Sequence, residues 1–434
     1  MTPAPADSPT HRAIDAVWRL ESSKIIAAVA RLVRDVGLAE ELAQDALIAA
    51  LEHWPAEGLP DKPGAWLMTT AKHRALDRLR QQAMQQRRHE ELGADADALG
   101  THVVPDFVDA LDAARQDDIG DDLLRLIFTA CHPVLPTEAR VALTLKLLGG
   151  LSTAEIARAF LVPEPTVAQR IVRAKRALTA ARVPFEVPPA EARTERLDSV
   201  LDVIYLIYNE GYAATAGGDW MRPALCDEAL RLGRVLAGLM PDEPEVLGLV
   251  ALMELQSSRA AARVDAQGAP VLLADQDRSR WDPLLIRRGL AALARAQALA
   301  EAGPGWGPYG LQAAIAACHA RAQRAETTDW PQIEQLYQAL MTAAPSPVVA
   351  LNHAVALGMA QGAKAAWPLV EALAQDKALA RYPWLFSVKA DLLTRLGRRA
   401  EAEAAFREAA ALTQNERDRA VLLQRAHALA VSRH

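Results

Sequence analysis

The chain has 434 residues, 51% hydrophobic and only 5% aromatic, enough for roughly two to four packed domains. A net charge of −6 excludes a polycation that coats nucleic acid along its whole length, so such contacts must come from local patches. Cys131, Cys226 and Cys318 lie far apart and form no CxxC; this argues against a disulfide framework or a cysteine zinc site, and for three small buried hydrophobes.

Alanine is abundant and β-branched alternating runs are scarce, so the chain reads as all-α, with helices packed through small contact residues. The opening MTPAPADSPTHRAID has no basic start followed by an apolar core and is not expected to be a signal peptide. No uninterrupted apolar run reaches membrane-span length. A cytoplasmic protein without membrane contact is expected.

Residues 1–10 are Pro-rich and are expected to be disordered. A first helical domain covers 11–91. Ala39 to Leu51 form an amphipathic helix whose Glu40, Glu41, Gln44 and Asp45 cluster near the start, where the helix dipole favours negative charge. Pro55, Pro60 and Pro63 pin the loop that follows. Ala65 to Gln82 form a helix with Trp66, Leu67, Ala71, Ala75 and Leu79 on or near its buried side. Lys72, His73, Arg74, Arg78 and Arg80 project elsewhere, with Asp77 as the only acid. Such a face can neutralise phosphates, and Trp54 and Trp66 could support a pocket for an unstacked base.

From Glu90 to Asp122 there are eleven acids and a single Lys or Arg, Arg115. Residues 92–118 read as a mostly extended acidic linker: a solvated spacer, or a strip that runs through a basic channel on a partner or keeps DNA away. A second small domain covers 119–183. Thr137 to Leu148 form a helix that Gly149 and Gly150 end as a C-cap.

Ser152 to Leu178, STAEIARAFLVPEPTVAQRIVRAKRAL, is the most informative stretch. Ser152 and Glu155 make a capping box, and Ile156, Ala159 and Phe160 give the short helix one apolar side. Pro163 and Pro165 break it. In the second helix Val167, Ile171 and Ala174 face inward, while Gln169, Arg170, Arg173, Lys175 and Arg176 form a basic face. Short helix, tight turn and basic second helix make a helix-turn-helix that reads a major groove; an ordinary αα-hairpin with a solvated basic face is the plainer alternative.

Val183 to Arg193 is a Pro-rich joint, followed by roughly 240 residues of Ala/Leu-rich helices. These divide into a helical extension, 190–288, and TPR-like repeats, 289–434. Ala380 to Leu412 spans about one helix pair of the TPR pattern, and Ser346 to Ala374 is a poorer copy. Stacked repeats of this kind bind peptides or proteins; a plain helical bundle is the alternative. Ile204 to Trp220 and Leu272 to Asp282 break the helical pattern.

The order of these pieces carries the identification. Acidic helix, loop, AWL…A…RALDRLR helix, acidic linker and VPEPTVAQRIVRAKRAL together resemble an extracytoplasmic-function (ECF) RNA polymerase sigma factor over about residues 14–182. The long tail with YNEGY and QDRSRWD resembles the ECF group that carries a C-terminal TPR-like extension.

The resemblance implies two partners, promoter DNA and RNA polymerase core, the latter through its β′ coiled-coil and β flap. Glu40, Glu41, Gln44, Asp45 and Leu47 match the surface that docks on the β′ coiled-coil. The Trp54–Gly64 loop matches the one that captures a flipped −10 base, with His73, Arg74 and Asp77 on the helix completing that site. Gln169, Arg170 and Arg173 match the face that enters the −35 major groove, and Lys175 and Arg176 are better placed for phosphate. His73 stands where many ECF factors have Asn, and VPEPTVAQR replaces the common VPEGTVKSR. Pro165 is compatible with a helix start, and Gln169 can pair bidentately with adenine. The tail is expected to contact the sigma domains or polymerase and to set activity.

Two other classes of reading use the same residues. One is a DNA-binding regulator or adapter built on a TPR-type scaffold, which co-purification with core polymerase would distinguish. The other is an enzyme built on Tyr208, Asn209, Glu210, Tyr212, Asp219, Asp275, Asp277 and Trp281. No nucleophile–base pair or metal spacing is legible there, and capping and repeat packing account for these residues. His132, His319 and His353 read as core or cap residues. No cofactor, metal or catalytic residue is called for.

Overall fold

A computed structural model describes residues 9–93, 119–160, 162–213, 221–266, 270–303 and 305–431. The acidic stretch 94–118 and most of the Pro-rich start lie outside the described residues, as do Asp219 and Trp220. The described residues are all-α, with one isolated bridge between Val264 and Pro270. Their contacts form two units, 1–204 and 205–434.

The first unit begins with α1 (Pro9–Val33), α2 (Val36–Glu57) and α3 (Pro63–Gly93), which pack on one another. Alanines 27, 30, 39, 43, 46, 50, 71 and 75 are all buried at these contacts, so small residues let the helices close tightly. Asp35 caps α2 by accepting from Leu38 N at 2.8 Å. The sequence pattern ends this helix at Leu51, but it continues through Pro55. A proline in the last turn forfeits only one hydrogen bond, and Gly58, at φ +90°, closes the helix by donating to Trp54 O at 2.9 Å. Trp54 therefore lies on α2, 2% exposed, and not in the loop.

After the acidic segment come α4 (Ile119–Ala130), α5 (Thr137–Leu147), α6 (Thr153–Phe160) and α7 (Glu164–Ala180). α4 packs on α1, and α5, α6 and α7 pack on one another. The capping box forms as its sequence requires: Ser152 N donates to Glu155 Oε2 at 2.8 Å and Glu155 N to Ser152 Oγ at 3.2 Å. Pro163 precedes α7 and Pro165 sits in its first turn, where no amide is needed. Val167, Ile171, Ala174 and Leu178 are buried, one helical side. Gly150 takes φ +64° after α5, and a Cβ there would stand 3.0 Å from Ser22 Oγ of α1.

α8 (Ala190–Tyr212) supplies residues to both units. Its first half is pinned within the first unit: Ser199 Oγ donates to Cys131 O at 2.6 Å, and Arg196 Nη2 to Phe128 O at 2.9 Å.

The second unit continues with α9 (Pro223–Leu239), α10 (Pro244–Ser257), α11 (Pro283–Ala302), α12 (Pro308–Arg321), α13 (Trp330–Ala343), α14 (Pro347–Ala360), α15 (Ala363–Leu373), α16 (Pro383–Arg395), α17 (Arg399–Leu412) and α18 (Glu416–Val431). Proline occupies the first or second position of seven of these, from Pro223 to Pro383, where its missing amide costs nothing. α10 is buried from Val246 to Leu255, between α9, α11 and α12. From α12 onwards each helix packs on the next. α14–α15 and α16–α17 are successive hairpins, turned at Gly362 (φ +96°) and Gly397 (φ +77°), and α14 also touches α16. This is the neighbour-on-neighbour packing of a helical repeat.

Candidate nucleic-acid interface

α7 separates its residues cleanly. With Val167, Ile171, Ala174 and Leu178 buried, the opposite side exposes Gln169, Val172, Arg173 and Arg176, while Arg170 is half-buried. Val172 is 46% exposed, an apolar side chain among the basic ones. An exposed face of this composition offers hydrogen-bond donors to base edges, an apolar surface for a thymine methyl, and charge for phosphates.

Lys175 is placed differently. Its ammonium pairs with the carboxylate of Glu40 on α2. Glu40 is 3% exposed, with Lys146 Nζ at 3.7 Å and Gln44 Nε2 donating to it at 2.7 Å. Beside it Thr179 Oγ1 donates to Asp35 Oδ2 at 3.1 Å, and Arg19 of α1 pairs with Glu155 of α6 at 2.6 Å. The helix-turn-helix therefore lies against α1 and α2. A cleft of about 560 Å³ opens at this junction, lined by Arg31, Arg34, Asp35, Lys175, Thr179 and Arg182 among others.

The other candidate residues divide between α2 and α3. Glu41 is exposed, Leu47 half-buried, and Asp45 pairs with Arg74 at 3.5 Å. On α3, His73 and Arg78 are exposed and Lys72 is half-buried. Trp54 packs edge-to-face on Trp66 with ring centroids 5.3 Å apart, so Trp66, half-buried, is the more accessible ring of the pair.

Sigma-70 region 2 matches residues 18–84, and Sigma-70, region 4, matches 125–178. The chain is 30% identical over 160 residues to the ECF RNA polymerase sigma factor SigK of Mycobacterium ulcerans, covering 36% of this chain and 78% of that protein. The chain belongs to the ECF RNA polymerase sigma factors. To the probable ECF sigma factor SigI of Mycobacterium tuberculosis it is 26% identical over 185 residues, 42% of this chain and 60% of that one. An uncharacterized protein of Rhizobium meliloti is 45% identical over 396 residues, 91% of this chain and 90% of its own, so the likeness runs through the extension. Residues 196–297 match a family of unknown function, DUF6596. As a sigma factor the chain works with RNA polymerase core and promoter DNA. Among the described residues no helix is long and apolar enough to cross a membrane.

The extension of this sigma factor uses its YNEGY and QDRSRWD segments structurally. Tyr208 donates to Met253 O at 3.1 Å, Glu210 pairs with Arg222, and Tyr212 stacks on Tyr208. A Cβ on Gly211 would stand 2.6 Å from Cys226 N, so only glycine permits that approach. Asp277 caps the turn at Ser279, and Asp282 caps α11 by accepting from Leu284 N at 2.8 Å. Arg278 donates to His319 O at 2.5 Å and Ala322 O at 2.6 Å, tying the segment to α12.

Around these segments collect three arginines. Arg263, 5% exposed, lies over the Tyr212 ring at 3.4 Å; Arg259 bonds the Tyr212 hydroxyl; and Arg278 lies over Trp281 at 4.8 Å. Burial, reinforced by Arg259 and Arg278, pushes His319 down to about 4. Only Arg278 stands in a segment that breaks the helical pattern; Arg259 and Arg263 carry no sequence signal that would bring them together.

Proposed function

We propose that this sigma factor loads on core polymerase through α2, with Glu40, Glu41, Gln44, Asp45 and Leu47 meeting the β′ coiled-coil. It reads the −35 element with Gln169, Arg170 and Arg173, while Lys175 and Arg176 hold phosphate. The observation that carries the −35 assignment is the exposed basic face of α7 opposite its buried apolar one. The loop after α2, with His73 and Arg74 of α3, holds a −10 base out of the stack; Trp54 supports Trp66 from behind. Unstacking costs a few kcal/mol, which these contacts offset. Region 4 also meets the β flap, all of this in the cytoplasm, and the C-terminal extension sets the level of activity.

In-vitro transcription with core polymerase tests the proposal. Transcripts from a genomic fragment pool should depend on this protein and share paired −10 and −35 elements. A pool of transcripts with no shared −35 sequence would overturn the assignment of α7.

A further inference from the structure

The extension contains a cleft of about 210 Å³ whose walls include Leu252 of α10 and Ile315 of α12. Four side chains that line it have hydrogen-bonding capacity left over. Arg259 gives one N–H to Tyr212, and among the described residues no carboxylate pairs with it. Gln256 and Tyr337 make no side-chain hydrogen bond to a described residue, and His319 Nδ1 is buried without a partner. Buried polar groups are normally satisfied; His319 Nδ1 is not, and the half-buried Arg259, Gln256 and Tyr337 bring further donors to the same cleft, a lining suited to a polar ligand.

The chemistry of the lining restricts that ligand. Arg259 lies 5.9 Å from the Trp281 ring, which Arg278 faces from 4.8 Å, so two guanidiniums share one aromatic neighbour, with Glu326 acting on Arg278 and no carboxylate paired with Arg259 among the described residues. Positive charge held this way is stabilised by an anion. A guanidinium fork matches a planar carboxylate, and glutamine amide and tyrosine hydroxyl can donate to the same oxygens. Beside these polar groups Leu252, Leu255 and Ile315 offer an aliphatic strip for a short hydrocarbon body. The volume is below the roughly 300 Å³ at which drug-sized pockets begin, so the body is short.

We propose that the extension of this sigma factor binds a small aliphatic monocarboxylate in this cleft, its carboxylate on Arg259, Gln256 and Tyr337 and its chain along Leu252 and Ile315. The same chemistry could arrive on the C-terminus of a peptide, so the test carries both sources.

Titration calorimetry on the full chain uses the sodium salts of acetate through hexanoate, hexanamide, sodium sulfate, and a peptide ending in leucine as acid or amide. The expected result is saturable binding of acids with an optimum chain length, and none of hexanamide. Arg259→Met should weaken binding by ~10–100-fold, the worth of a charge-assisted hydrogen bond. Gln256→Leu and Tyr337→Phe, which remove no internal hydrogen bond, should weaken it less while the far-UV circular dichroism stays unchanged; Arg280→Met, on an exposed turn residue, should leave it intact. Equal binding of sulfate, or of hexanamide, overturns the proposal. So does unaltered binding in all three lining variants, or binding of the peptide acid with no free acid bound at millimolar concentration.

Discussion

Lys175 of α7 and Glu40 of α2 neutralise each other in this structure. Each is a candidate contact for a different partner, so in this arrangement neither partner can have its residue until the pair parts. A carboxylate 3% exposed depends on its cation. Removing one member of a buried pair costs about 3–5 kcal/mol, and here Lys146 and Gln44 remain, so Lys175→Met should cost about 2 kcal/mol. Adding Glu40→Gln should restore most of it. A double-mutant cycle in urea measures the coupling; a value below about 0.5 kcal/mol would show that the pair contributes nothing.

Arg173 is exposed and faces away from the core. Arg173→Ala should leave the unfolding transition within about 0.5 kcal/mol of the parent. On promoters it should lose roughly 1–3 kcal/mol of discrimination against altered −35 sequences. Binding to duplexes of intact and scrambled −35 sequence makes the distinction. An equal loss on both makes it a phosphate contact.

Local signals in the sequence were sufficient for α6 and α7. Ser152, Glu155, Pro163 and the Val167–Ile171–Ala174 spacing act within one or two turns, and the caps and buried side follow from them. The end of α2 was less legible, because Pro55 reads as a breaker until Gly58 is seen closing the turn. Pairings between distant segments had no local signal at all. Nothing near Glu40 announces Lys175, and nothing near Arg259 announces that Tyr337 lines the same cleft, because tertiary packing sets both.

Removing the extension tests whether it sets activity, and two hydrogen bonds from α8 fix where to cut. A stop near Pro188 would leave Cys131 O and Phe128 O without the donors Ser199 and Arg196. Water can replace these donors once α8 is gone, so that loss should cost the first unit about 0.5–1.5 kcal/mol per hydrogen bond. A stop after Ile204 retains both bonds. The longer product should unfold at a higher temperature than the shorter, and its transcription should differ from that of the full chain. Unchanged promoter output from a stable 1–204 product would show that the extension does not set activity.

His319 gives the extension a defined acid response. Its imidazole is pushed down to about 4 by burial, with Arg259 and Arg278 facing it and adding to the effect; the Trp330 ring packs edge-on. Between the ordinary value of 6.5 and about 4 the unfolded chain holds a proton that the folded one refuses. Stability from this group is therefore complete above pH 6.5 and is lost as pH falls towards 4, by at most about 3 kcal/mol. Carboxylates titrate over part of the same window, so the measurement is a difference. Urea unfolding of the parent and of His319→Gln at about pH 7 and pH 4.5 should show the smaller acid loss in the variant. Identical losses in the two proteins would show that His319 does not titrate differently on folding.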